Sequence, residues 1–183
     1  MSSIVIASVA RTPIAKFCGS FSGLKASELA SVAIKGALSK LPQDDLTISE
    51  AILGNVVSAG QGQAPCRQAV LGAGLPESTI CTTINKVCAS GMKSVMLASQ
   101  SLQCGNGGTA MLAGGFESMS NIPHYLPNSR SGTSLGHAKL IDGVIHDGLW
   151  DIYNNQHMVS IYACRGVMYC IIRDSTNTLM SIL

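Results

Sequence analysis

Short β-prone runs alternate with helical periods along the first two-thirds of the chain, and few folds tolerate that order. Ile4–Val9, Ala51–Ser58, Ile80–Val87 and Ala110–Ala113 have strand character. Between them, helical spacing covers Glu28 to Lys40, Arg67 to Ala73 and Ala89 to Gln103. Ser27 is the expected N-cap of the first helix, whose small and apolar positions Leu29, Val32, Ala33, Gly36 and Ala37 recur at i, i+3 and i+4. Pro42, Gly74 with Pro76, and Gly105 stand where the three helices should end. Strands linked through helices form parallel sheets covered on both faces, so the expected class is layered α/β with a mostly parallel sheet and helices on both faces.

From Ser118 to Met158 the pattern fades. Gly, Ser, Asn and Pro are frequent, and all four histidines (His124, His137, His146 and His157) fall here. This is the texture of a loop excursion laid over a site. Past Met158 it changes again, and the uncharged stretch Val167–Ile172 is β-prone and aggregation-type. Three regions are therefore expected: an α/β domain over 1–117, a partial loop or cap region over 118–158, and a tail over 159–183.

Charged residues make up 12% of the chain and hydrophobic ones 46%, against roughly a quarter charged in an average soluble domain. So few charges leave a large face that belongs against a partner surface. The net charge of +2, with no basic stripe, argues against nucleic acid. No apolar stretch approaches the roughly 20 residues that span a bilayer, which argues against a membrane protein. Met1–Ser3 is too short to be a targeting segment. The final Ser181-Ile182-Leu183 lacks the basic residue of a peroxisomal address. The expected location is cytoplasmic, with the peroxisome as the alternative.

Seven cysteines (18, 66, 81, 88, 104, 164 and 170) include no C-x-x-C pair, and no histidine stands at zinc-ligand spacing from them. No metal site is expected, and most of these thiols should be small core hydrophobes. Cys88 differs. It stands where the third strand gives way to a helix opening Ala89-Ser90-Gly91. Helix N–H groups and the positive dipole end favour a thiolate there, and small neighbours let a bulky substrate approach. The arrangement is that of a nucleophile elbow, with the Cys88 backbone N–H available to an oxyanion. A buried cysteine at a strand end is the competing reading.

Four separated blocks bear on that choice: Val9-Ala10-Arg11-Thr12-Pro13; Gly54-Asn55-Val56 with Gly62–Gln68; Asn85–Met92; and Ala113–Ser120. In this order, and with Asp147–Asp151, they resemble the thiolase family, specifically its biosynthetic acetyl-CoA acetyltransferases. The resemblance runs over about residues 4 to 158, with Phe116 where the family usually has Met. It implies a thiolase-like N-terminal domain in which Cys88 accepts an acetyl group from acetyl-CoA. A second acetyl-CoA, deprotonated at its methyl group, then takes that acetyl group to give acetoacetyl-CoA. It further implies substrate-binding roles for His157 and Met158, a place in lipid metabolism and the mevalonate pathway, and no cofactor beyond the CoA thioesters used as substrates. Gly60–Gly62 reads as a tight turn rather than a phosphate loop. Glu117 and Arg67 read as structural.

Thiolases are about twice this length. Their second half carries a Gly-His-Pro histidine that activates the nucleophile, an Asn-Glu-Ala-Phe block and a Cys-x-Gly acid–base cysteine. None of these is present, and Cys164-Arg165-Gly166 is a chance echo of the last. The expectation is a truncated chain whose tail over 159–183 is not family sequence, inactive alone, that forms a homo-oligomer or pairs with a full-length thiolase. Two alternatives stay open: a non-catalytic dimerisation module, and a related condensing enzyme acting on carrier-bound chains.

Overall fold

The computed structural model describes residues 4–42, 46–106, 108–132 and 135–158, and the strand backbone of 170–174 and 181–182. Its elements are β1 (Ile4–Val5), α1 (Ala26–Leu38), β2 (Ile48–Gly54), α2 (Pro65–Gly72), β3 (Ile80–Ile84), α3 (Ser90–Gln103) and β4 (Ala110–Gly115). Four short strands follow: β5 (His124–Tyr125), β6 (Ile141–Asp142), β7 (Trp150–Asp151) and β8 (Gln156–His157). The last two are β9 (Cys170–Asp174) and β10 (Ser181–Ile182).

The expected α/β architecture is present. β3, β2 and β4 lie side by side and parallel, with Ala51 facing Cys81 on one side and Leu112 on the other. Ala51, Ile52 and Leu53 are all buried, as is every residue of β4, so both faces of these strands are covered. One cover is α3. The other is α2, with α1 alongside, where the Ser31 hydroxyl donates to the Ala69 carbonyl at 2.9 Å. The covering residues are small: Ala26, Ala30, Ala33 and Ala37 from α1, Ala69 from α2 and Ala98 from α3. Small side chains let helix backbones approach the sheet, and buried Ile34, Val70, Met111 and Leu112 fill the remaining volume.

Several boundaries differ from expectation. β1 is two residues long because the chain turns away to α1: the Ser8 hydroxyl donates to Ala37 O at 2.8 Å, and Lys40 Nζ donates to Val9 O at 2.6 Å. Ser27 is not the N-cap. Lys25 is, with the Glu28 carboxylate accepting its backbone N–H at 2.7 Å, while Ser27 lies inside the helix near Gln68. Val32, assigned to the core face, is exposed, and Ala30 and Ile34 take that face instead. β2 runs from Ile48 to Gly54 rather than to Ser58.

The loop region is built from two small antiparallel hairpins, β5–β6 and β7–β8, separated by a π-turn at Ile145–Leu149. Ser118 and Asn121 anchor it by donating to Leu24 O at 3.0 and 2.8 Å. In the segment expected to be a tail, β9 pairs antiparallel with β1 and β10 pairs parallel with β4. Cys164-Arg165-Gly166 and the boundary following Met158 lie outside the described residues.

Candidate functional site

The site is built on the crossing from β3 to α3. β3 stops at Ile84, three residues earlier than the composition suggests, because Asn85 closes a turn. Its Oδ1 accepts the Val87 N–H at 2.8 Å, and its amide donates to Val56 O at 3.1 Å. Val87 then adopts φ +49°, a region that a β-branched residue enters only when its surroundings force it. The forcing contacts come from Ser90, whose hydroxyl accepts Lys86 N–H at 2.8 Å and donates to Val87 O at 2.6 Å. Between Val87 and Ser90 stands Cys88, exposed, two residues ahead of the first helical residue of α3.

Glycines seat this turn on the sheet. A Cβ added to Gly54 would lie 2.5 Å from the Ser90 carbonyl carbon, and one added to Gly115 would lie 3.1 Å from Gly91 Cα. The ends of β2 and β4 therefore admit the first turn of α3 only without side chains. Ser94, fully buried, completes the seat with its hydroxyl between Gly114 O at 2.7 Å and Gly91 O at 2.6 Å, its one proton shared by the two carbonyls.

Beside the seat lies Glu117. Its carboxylate accepts the Val56 N–H at 2.9 Å, the Val57 N–H at 3.4 Å and the Asn55 amide at 3.1 Å. Burial pushes its pKa above the usual carboxylate range, and these three donors pull the other way. All three partners belong to the stretch after β2, which matches the structural role expected of Glu117. Arg67, also expected to be structural, donates through both terminal nitrogens to Glu77 O at 3.2 Å. Gly60 and Gly62 have φ of +73° and +84°, as a tight turn requires.

His157 and Met158 stand on the β7–β8 hairpin. The His157 ring meets Trp150 edge-on at 6.4 Å between centroids, and Met158 is exposed. The contacts that hold Cys88 come instead from Asn85 and Ser90 beside it and, through Asn85, from Val56. Asn55 and Asn85 carry no role in the residue-by-residue reading, and Ser90 only that of a small neighbour. Their partners lie up to 62 residues away, and the available signal was their place inside the four blocks. His146 Nδ1 approaches Asp147 Oδ1 at 2.7 Å, and Tyr125 donates to the other oxygen of that carboxylate, so this cluster ties hairpin to π-turn. Among the described residues no group of three His, Cys, Asp or Glu is arranged to hold a metal.

A family model described as thiolase, N-terminal domain, matches residues 4–177. Acetyl-CoA acetyltransferase 1 of Arabidopsis thaliana is 57% identical over 152 residues, covering 83% of this chain and 36% of the relative. The human mitochondrial acetyl-CoA acetyltransferase is 56% identical over 159 residues, 86% of this chain and 36% of the relative. Among solved structures, the Acat5 thiolase of Ascaris suum in complex with coenzyme A superposes with a TM-score of 0.79 at 39% identity, over 85% of this chain and 40% of that one. The chain thus spans well under half the length of the relatives it matches. With the glycine-seated crossing, the parallel sheet and this similarity in agreement, the chain belongs to the thiolase family.

Proposed function

We propose that this chain carries the acyl-accepting part of an acetyl-CoA C-acetyltransferase, with Cys88 as the nucleophile. The observation that supports it most is an exposed thiol held at the head of α3 by a strained turn over a glycine seat. In this reading Cys88 Sγ attacks the thioester carbonyl of acetyl-CoA. The enzyme C–S bond forms, the C–S bond to CoA breaks, and the thiol proton leaves with CoA. A second acetyl-CoA, deprotonated at its methyl group, then forms the C–C bond and releases Cys88. The Cys88 backbone N–H supplies half of the oxyanion hole, while His157 and Met158 border the substrate.

The sequence holds none of the second-half blocks that supply the family's bases, so the first transfer should be slow and the chain alone should not complete the second. A missing general base costs about 10²–10⁴ in rate and a missing oxyanion donor about 10²–10³. Isotope exchange between acetyl-CoA and labelled CoA tests the half-reaction. Exchange that disappears in Cys88→Ala supports it, and exchange that persists in Cys88→Ala would refute it. Full cleavage of acetoacetyl-CoA at ordinary enzyme rates would show that the missing bases are supplied from within these 183 residues.

The dimerisation module is a second reading, favoured by a specific surface. β3 is an edge strand of the described sheet, its Ile80 is 62% exposed, and Met92 on α3 is 70% exposed. Sedimentation should show self-association, or pairing with an added full-length thiolase. A sharp monomer at high concentration that also ignores such a thiolase would exclude this reading. The cytoplasm is the compartment we assign, with the peroxisome as the alternative. The human relative's name specifies the mitochondrion, so cell fractionation must discriminate among three compartments.

A further inference from the structure

A second pair of sulfurs lies away from Cys88. Cys66 is the second residue of α2, and Cys81 is the second residue of β3. Three contacts bring them together. Cys81 lies opposite Ala51 in the β2–β3 ladder, and the Cys66 thiol reaches the Ala51 carbonyl at 3.6 Å. The Cys66 backbone N–H donates to Thr83 Oγ1 at 3.1 Å, two residues along β3 and therefore on the same strand face as Cys81. The first turn of α2 thus rests on β3 over Cys81, which sets the two thiols on the same side of the strand, where the Cys66 thiol donates to Ala51 O at 3.6 Å and the Cys81 thiol to Thr79 O at 3.3 Å.

Their surroundings are unequal. Cys66 is sealed in the core at 1% exposure. Cys81 is partly exposed and lines an open cleft of about 380 Å³ shared with Asn55, Thr83 and Asn85. The neighbouring Cys66 thiol draws the Cys81 thiol below its ordinary value, with burial opposing and the Arg67 guanidinium assisting. Cys66 is pushed far up, by Cys81 first and then by burial. Cys18, Cys88 and Cys104, by contrast, are exposed.

We propose that Cys66 and Cys81 form a thiol pair that a hydroperoxide oxidises to an intramolecular disulfide, with Cys81 attacked from the cleft and Cys66 resolving. The Cys81 thiolate attacks the outer oxygen of the hydroperoxide. An S–O bond forms, the O–O bond breaks, and the alcohol (water, for hydrogen peroxide) leaves with a proton. Cys66 sulfur then attacks the sulfenic sulfur, forming S–S and breaking S–O, and water departs with the Cys66 proton. Two thiols are oxidised by one peroxide. The product ties α2 to β3 at the wall shared with Asn85, which holds the Cys88 turn.

Trypsin separates the partners, because cleavage after Lys40, Arg67 and Lys86 places Cys66 in peptide 41–67 and Cys81 in 68–86. The full chain is reduced, treated with hydrogen peroxide, alkylated under denaturing conditions and digested without reductant. The expected result is a 41–67/68–86 linked peptide lighter by two hydrogens, with loss of alkylation at both cysteines. Cys66→Ser should leave a Cys81 sulfenic acid trapped by dimedone, and Cys81→Ser should keep Cys66 fully alkylatable. Should either variant fail to fold, the wild-type map decides by itself. Oxidation of Cys18, Cys88 or Cys104 with Cys66 and Cys81 still alkylated, or links between two chains in place of the internal one, would overturn the proposal.

Discussion

Two strand-to-helix crossings in this molecule begin alike and end with opposite thiols. After β2, Ala64 takes φ +50° and Cys66 follows within the first turn of α2. After β3, Val87 takes φ +49° and Cys88 follows just before α3. Cys66 is buried, its N–H held by Thr83 and its sulfur over Ala51. Cys88 is exposed, and the bonds around it (Asn85 to Val87, Ser90 to Lys86 and Val87) fix the turn while leaving the sulfur outward. A cysteine near a helix N-terminus is therefore not a nucleophile by position. What separates the two is whether the crossing lies over a neighbouring strand or past the strand ends, where Gly54 and Gly115 hold the helix down from below.

The largest test of that contrast is Gly54→Ala. The new methyl meets the Ser90 backbone, which cannot rotate away, so the cost should sit near the top of the about 1–3 kcal/mol typical of overpacking. In a chain of this size that is about 2–4 °C of melting temperature per kcal/mol. Alkylation of Cys88 should change along with it, and that of Cys66 should not. Gly23→Ala, which meets nothing within 4 Å, should stay within about 0.5 kcal/mol of wild type. Equal melting shifts for the two variants would break the argument for the glycine seat.

Glu117→Gln should cost about 2 kcal/mol, because an amide nitrogen would face the Val56 and Val57 N–H groups or the Asn55 amide. The wild-type carboxyl also carries a pH signature. Its folded pKa is raised by burial, so between the unfolded and folded values the native state holds the proton that the unfolded state has lost. Its contribution to stability therefore falls as pH rises through that window, just above the ordinary carboxylate range, and is least unfavourable below it. Urea midpoints of both proteins across that window should converge on the alkaline side if this is right. Parallel curves would contradict it.

Asn85→Ala should be milder, about 0.5–1.5 kcal/mol, since both its hydrogen bonds lie at an exposed turn. Its sharper readout is chemical. Releasing Val87 should change the iodoacetamide rate at Cys88 and leave that at Cys104, at the far end of α3, unchanged. An unchanged Cys88 rate would mean that Ser90 alone holds the turn.

Much of this was legible from residue order. Strand and helix periods placed β2, β3, β4, α2 and α3 within a few residues, because both-face burial leaves uncharged runs such as Ala110–Ala113. The misses share a cause. Asn55–Ser58 read as strand because Val56 and Val57 are β-prone, yet Glu117 and Asn85 take backbone groups of those two residues that a ladder would need. Ser27 read as a cap because its type favours one, but Glu28 already serves the N–H of Lys25. Each error lies where a side chain distant in sequence, or a competing neighbour, outbid local preference. The elbow at Cys88 was legible as a junction. Its positive φ at Val87 was not, since β-branched residues argue against that conformation.

The central claim is that Cys88, and not the similarly placed Cys66, is the thiol that accepts an acyl group. Incubation with acetyl-CoA followed by intact mass and peptide mapping tests it directly. The account predicts a single acetyl adduct on peptide 87–93, which holds Cys88, absent in Cys88→Ala and with none on peptide 41–67. An adduct on Cys66, or no adduct in a folded chain whose Cys88 still reacts with iodoacetamide, would contradict it.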